Sequence, residues 1–299
     1  VDESPALLKR DWLVGRPNSA DELTVLQWNC LADWARNSFP RVDPEHLTWE
    51  YRKPRIVAEI RRADPDIVCL QEVDRFEELN ALLKPQFDGY FKSKGINTDT
   101  PSRDGAAIFW KRDRLVARGH VDLHYSTLCG MADMKQVMLS ALFEFERGQG
   151  EPAAIQVVTT HLKAKKGFDQ QRLLQCEAMA KFLNEERTLA DLTIVCGDFN
   201  TGPDSAAVAK LLQETSSVRL KSTYRSLFND VEPDWTTWKI RDEVKRATID
   251  FMFSDTSSRW QPVDVWNIPE VGEVDASVAL PCSRYPSDHL ALATKFAMK

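Results

Sequence analysis

Apolar, β-branched runs that stop abruptly at an acid, an amide or a glycine recur along this chain. The sharpest is Thr193-Ile194-Val195-Cys196-Gly197-Asp198-Phe199-Asn200. Such a run reads as a buried strand delivering its next residues to a sheet edge. Period-two alternation places Asp198 and Asn200 on one side and sends Phe199 into the core. Leu23 to Gln27, Ile67 to Leu70, Gly105 to Trp110, Thr248 to Phe253 and Leu290 to Phe296 read as further strands, with shorter ones near Tyr90 to Lys92 and Trp260 to Trp266. Gln136 to Phe145 and Val157 to Leu162 alternate apolar and polar residues, which predicts antiparallel sheet in the centre of the chain. After a helix start at Asp43-Pro44, the segment from Trp49 to Arg62 reads as an amphipathic helix, with Trp49, Ile56, Val57 and Ile60 on one face. Helices are also predicted at Phe76 to Leu83, at Ala206 to Gln213, and at Phe168 to Glu186, where Ala178, Met179, Phe182 and Leu183 are left for burial. Lys94 to Asp104 and Ser216 to Asp234 read as loops. Strands and helices alternating with antiparallel stretches predict an α/β fold of two packed mixed sheets with helices outside.

Neither a repeat nor a linker divides the chain, and 299 residues at 43% hydrophobic content suffice for one large core. Residues 1–22 read as a tail that Leu7, Leu8, Trp12 and Leu13 pin to the body, and 23–299 as one domain. A formal charge of −6 argues against binding nucleic acid through a broad basic surface, while leaving room for a local basic pocket. The six cysteines contain no CxxC pair, and Cys69 and Cys196 lie within strand runs, so free buried thiols in a reducing, intracellular compartment are expected. No run approaches the roughly 20 apolar residues of a membrane span, so no membrane partner is expected. The chain opens on Val1 rather than Met, which leaves room for a targeting segment upstream, so cytoplasm and mitochondrion both remain open.

Five strand ends carry acids, amides or histidine: Asn29, Glu72, His161, Asp198 with Asn200, and Asp288 with His289. Groups at the ends of core strands can converge on one rim of a packed sheet. Each also has a plain structural explanation, Glu72 as the start of the next helix, His161 as a satisfied core histidine, and His289 as a cap beside a turn acid. Asp250 interrupts an apolar strand, and a buried carboxylate needs a partner. His289 is the natural one, since a carboxylate on one ring nitrogen raises the basicity of the other. Lys163, Lys165 and Lys166 follow His161, and Lys92 and Lys94 sit at another strand end; they are either a solvated face or a local pocket for a phosphate ester. Oxygen-rich candidate ligands without a His/Cys cluster favour Mg²⁺ or Mn²⁺ over zinc.

Gln71-Glu72-Val73, Gly197-Asp198-Phe199-Asn200 and Ser287-Asp288-His289, in that order, resemble the endonuclease/exonuclease/phosphatase superfamily and its DNase I-like four-layered α/β sandwich. Within it, Gln27-Trp28-Asn29, Thr160-His161-Leu162-Lys163-Ala164, Thr236-Thr237-Trp238-Lys239-Ile240-Arg241 and Tyr285-Pro286-Ser287-Asp288-His289 are most similar to the nocturnin family and its deadenylase relatives, over roughly residues 20 to 298. The resemblance implies roles. Glu72 is the principal Mg²⁺ ligand, with Asn29 and Asp288 near the metal. Asp198 orients or deprotonates the attacking water, and Asn200 holds a phosphate oxygen. His289, oriented by Asp250, stabilises the transition state, His161 binds phosphate, and Lys163, Lys165 and Lys92 or Lys94 bind the substrate phosphate. Two departures bear on substrate choice: Lys165 replaces an arginine usual in nocturnins, and the loop between Lys94 and Gly105 is short. The implied activity is Mg²⁺-dependent removal of the 2′-phosphate of NADP⁺ or NADPH by a monomer. The alternatives are a 3′ exonuclease that shortens the poly(A) tail of RNA and a non-catalytic relative that binds a nucleotide or a protein.

Overall fold

The computed structural model describes residues 6–16, 19–95, 104–132, 134–148, 150–185 and 190–299. Its strands are β1 (Leu23–Asn29), β2 (Ile67–Val73), β3 (Phe87–Ser93), β4 (Gly105–Lys111), β5 (Leu115–His124), β6 (Val137–Phe145), β7 (Ala153–His161), β8 (Leu192–Asp198), β9 (Leu220–Ser222), β10 (Thr237–Ile240), β11 (Val244–Ala247), β12 (Asp250–Asp255), β13 (Trp260–Val265) and β14 (Leu292–Met298). The helices are α1 (Pro44–Leu47), α2 (Trp49–Ala63), α3 (Phe76–Leu83), α4 (Tyr125–Leu128), α5 (Asp169–Glu185), α6 (Ala206–Glu214) and α7 (Thr223–Leu227). One sheet runs β13-β14-β1-β2-β4-β3, the other β5-β6-β7-β8-β12-β9, and β10 and β11 form a separate hairpin. Each large sheet is mixed, because β1 pairs with β2 and β7 with β8 in parallel while the remaining neighbours are antiparallel.

Alternation sorts the side chains into layers. Val25, Ile67, Cys69, Ile108, Leu139, Val157, Ile194, Cys196 and Met252 fill the space between the sheets. Leu26, Trp28, Val68 and Leu70 face the other way, against Ile56, Val57 and Ile60 of α2, while Val195, Phe251 and Phe253 meet Met179 and Leu183 of α5. The result is the expected four-layered sandwich of two mixed sheets flanked by helices.

Three features differ from the pattern-based reading. The ten-residue strand β5 is an edge strand whose residues Val116 to Val121 are exposed, so burial imposed no alternation on its sequence. Residues 216–234, read as loop, contain β9 and α7. The helix begun at Pro44 stops at Leu47, and Thr48 caps a new one, its side chain accepting the Tyr51 N–H. On α5, Arg172, Gln175, Cys176, Met179, Ala180, Phe182 and Leu183 are buried, whereas Ala178 is only half-buried. At the start of the described chain, Leu8 and Arg10 are buried against the body and Trp12 bridges to Trp266. No described helix is long and apolar enough to cross a membrane.

Candidate functional site

Register lines up the polar strand ends. His161 at the end of β7 pairs with Asp198 at the end of β8, and Asp198 pairs with Asp250 at the start of β12. Gly197 permits this row: it has φ +146°, and a Cβ there would lie 2.0 Å from the Thr160 carbonyl oxygen of β7. Phe199 turns inward and packs edge-on against Phe251 and Phe253, as alternation requires. In the facing sheet, β1 ends at Asn29. The β2–β4 register shifts between Gln71 and Val73, and Glu72 in that bulge adopts φ +57°. A bulge with left-handed backbone re-aims a side chain that a regular strand would place elsewhere.

Asn29 joins the sheets: its Nδ2 donates to Glu72 Oε1 at 3.2 Å and to Asp198 Oδ2 at 3.0 Å. The other Glu72 oxygen accepts the Ala32 N–H at 3.1 Å. Asp198 Oδ2 also lies 3.5 Å from His161 Nε2 and 3.8 Å from His289 Nε2, while Oδ1 accepts the Asn200 N–H at 2.8 Å. Asn200 is half-buried, with its Nδ2 donating to the Leu162 carbonyl.

The histidines lie in different electrostatic surroundings. Lys94 Nζ sits 3.2 Å from His161 Nδ1. An ammonium only donates, so Nδ1 accepts and Nε2–H points to Asp198. Burial first, and then Lys94, drive the His161 pKa down to about 3, so this ring is neutral. His289 Nδ1 lies 2.9 Å from Asp250 Oδ2, which also accepts the Thr236 hydroxyl at 2.6 Å. Burial opposes the His289 imidazolium, but Asp250, aided by Asp288 and Asp198 and against Lys239, holds its pKa above the ordinary value. Asp288 is buried too, yet Lys239, His289 and Arg241 hold its carboxyl well below the usual range. Its Oδ2 lies 2.5 Å from Lys239 Nζ and 3.4 Å from Arg241 Nη2.

The structure thus gathers Asn29, Glu72, His161, Asp198, Asp250, Asp288, His289 and Lys94 into one cluster where the ends of the two sheets meet, with Asn200 beside it. Lys92 and Lys94 have different partners: the Lys92 ammonium is ion-paired with Asp122 on β5, whereas that of Lys94 is ion-paired with Asp104 and reaches His161. Lys163 Nζ lies over the Phe168 ring at 4.6 Å, and Lys165 is exposed at φ +78°. Among the described residues neither forms an ion pair; both carbonyls accept from Arg172 Nη1. The short loop after Lys94 falls on residues 96–103, outside the described residues. Sequence reasoning did not single out Lys239 and Arg241 as site residues, although both stood in a stretch it quoted. It also missed Arg52, a buried guanidinium from α2 whose Nη1 donates to the carbonyls of Cys30, Leu31 and Pro286, tying the loops behind Asn29 and Asp288 together. A lone arginine in an amphipathic helix gives no sign of this.

The donor set fits a divalent cation. Asp198, Asp250 and His289 bring ligand atoms within 4.8 Å of one another, but Asp250 and His289 are already committed to each other. Glu72, with the Asn29 carboxamide between it and Asp198, offers oxygen donors and no thiol, which suits a hard cation.

This geometry agrees with comparisons to known proteins. Residues 26–289 match the Endonuclease/Exonuclease/phosphatase family. The chain is 33% identical to Nocturnin of Drosophila melanogaster over 94% of its length and 48% of the relative's, and 32% identical to human Nocturnin over 98% and 70%. It spans about half of the fly relative. Among solved structures, the human Nocturnin catalytic domain with a bound sulfate anion superposes with a TM-score of 0.75 at 26% identity, covering 99% of this chain and 100% of that one.

Proposed function

Since this chain belongs to the endonuclease/exonuclease/phosphatase family and is an enzyme of its phosphoesterase and nuclease class, we propose that it removes the 2′-phosphate of NADP⁺ or NADPH in a Mg²⁺-dependent hydrolysis. The observation that carries this reading is a local cluster of positive charge. Lys94 contacts His161, and Lys239 and Arg241 contact Asp288, in a chain whose net charge is −6. A pocket for one anionic group agrees with that balance better than a track for a polynucleotide does.

In this reading Glu72 would hold Mg²⁺, with Asn29 and Asp288 beside it, and the ion would supply Lewis acidity to the phosphoryl group. Asp198 takes the hydrogen of the attacking water and aligns it for in-line displacement. Its carboxylate is well placed for this, because Asn29 and the Asn200 N–H fix both oxygens. The neutral His161 exchanges its Asp198 contact for a phosphate oxygen, to which Nε2–H then donates. His289, with Nδ1 engaged by Asp250 and Nε2 beside the Lys239 ammonium at 3.2 Å, stands with that lysine against the charge that develops as the bond breaks. Lys94, Lys163 and Lys165 neutralise the phosphate, and Asn200 contributes its carboxamide.

The test is phosphate release from NADPH and shortening of oligo(A), each with Mg²⁺ and with EDTA, against Glu72→Ala. Release from NADPH that stops in EDTA and in the variant, with oligo(A) intact, is expected. Shortening of oligo(A) with NADPH untouched would overturn the dinucleotide reading in favour of a 3′ exoribonuclease.

A further inference from the structure

A short 3₁₀ helix, Asp33–Ser38, follows Asn29 and carries Trp34 on its outer side. Its neighbours are fixed inward: Asp33 and Ala35 are buried, and Asp33 is ion-paired with Arg36 and Arg75. Trp34 itself is 51% exposed and is the one aromatic among the large exposed apolar side chains of the described residues. Single exposed apolar residues are ordinary, but this one is pinned. Its backbone N–H donates to Asp74 Oδ2 at 3.2 Å, two residues beyond Glu72, and its indole N–H donates to the Asp104 carboxylate. Asp104 is in turn ion-paired with Lys94, which reaches His161. Trp34 therefore links the segment after the Glu72 bulge, through its backbone, to the Lys94–His161 pair, through its indole and Asp104. Its one polar atom is satisfied, so the exposed remainder of the side chain is an apolar face fixed in orientation.

We infer that Trp34 is a specificity-determining residue, on whose exposed face the nucleobase of the substrate stacks while the phosphate sits among the histidines and lysines. This rests on the site acting on a nucleotide phosphoester. Stacking of a base on a rigid aromatic depends on the π-face and tolerates any base. It also ranks substrates, since a phosphoester lacking a heteroaromatic ring gains nothing from the indole.

The experiment measures binding of adenosine 2′-monophosphate and of ribose 2-phosphate by calorimetry to the wild type, Trp34→Ala and Trp34→Phe, followed by phosphate release in the same samples with Mg²⁺. The expected result is about tenfold weaker nucleotide binding in Trp34→Ala, unchanged binding of ribose 2-phosphate, and recovery in Trp34→Phe. Equal weakening of both ligands would assign Trp34 a purely structural part through Asp74 and Asp104, and would overturn the inference. So would nucleotide binding that Trp34→Ala leaves unchanged, or a wild type that binds neither ligand. Base-dependent binding with no phosphate release would sink the phosphatase reading and leave the stacking intact.

Discussion

At His289 the two ring nitrogens have different tasks, and Asp250 decides which is which. Replacing Asp250 by Asn keeps the shape but removes the charge that raises the His289 pKa. The His289 pKa should fall, read by NMR titration, and kcat should drop by about a hundredfold or more, as for loss of a positioned acid–base group. A second residue-scale effect belongs to Asp33. Burial opposes its charge, but Arg75 and Arg36 hold the carboxyl below the ordinary carboxylate range. A depressed folded pKa means the pairing stabilises the protein above the unfolded pKa and that this contribution is lost as pH falls through the folded value. The Tm of the wild type should therefore decline more steeply below about pH 4 than that of Asp33→Asn. Parallel curves would show that Asp33 contributes nothing.

Elements act through register. The His161–Asp198–Asp250 row exists because β7 approaches β8 closely enough to exclude a side chain at Gly197. Gly197→Ala forces a Cβ onto the Thr160 carbonyl and should destabilise the protein by more than about 4 kcal/mol, seen as a collapse of Tm or loss of soluble protein. A normal Tm would mean the two strands separate at little cost. Helix α2 supports the other wall through Arg52. Arg52→Met strips the carbonyls of Cys30, Leu31 and Pro286 of their donor, and should cost about 3–5 kcal/mol in chemical denaturation.

Across the whole molecule, the segment at residues 8–12 is part of the packed body. Arg10 and Glu59 form a fully buried pair at 3.5 Å, Tyr285 donates to the same Glu59 oxygen, and Arg10 Nη2 donates to the Ala291 carbonyl just beyond His289. Removing one member of a buried pair leaves the other uncompensated. Arg10→Met should lower stability by about 3–5 kcal/mol, with a denaturation midpoint shift as readout. An unchanged midpoint would show that Arg62, the other partner of Glu59, suffices alone.

The sequence by itself determined the elements that burial marks. The strands β1, β2, β4, β6, β7, β8, β12 and β14 were legible as apolar runs because core lies against both faces of most of them, and the helices α2, α3, α5 and α6 because one face of each is buried. It also brought forward most residues that meet at the site, since acids and histidines ending apolar runs are expensive and therefore conspicuous. The edge strand β5 and the elements within residues 216–234 were not legible, because exposure leaves no pattern. Tertiary structure alone decided the partners of the two lysines at the end of β3. Lys92 and Lys94 sit two residues apart on one strand end, and only the packing of β3 beside β5 gives the first to Asp122 and leaves the second to His161. It likewise decided the parts played by Arg52 and Trp34, whose partners are up to 234 residues away in the chain, a separation over which no local pattern can report a contact.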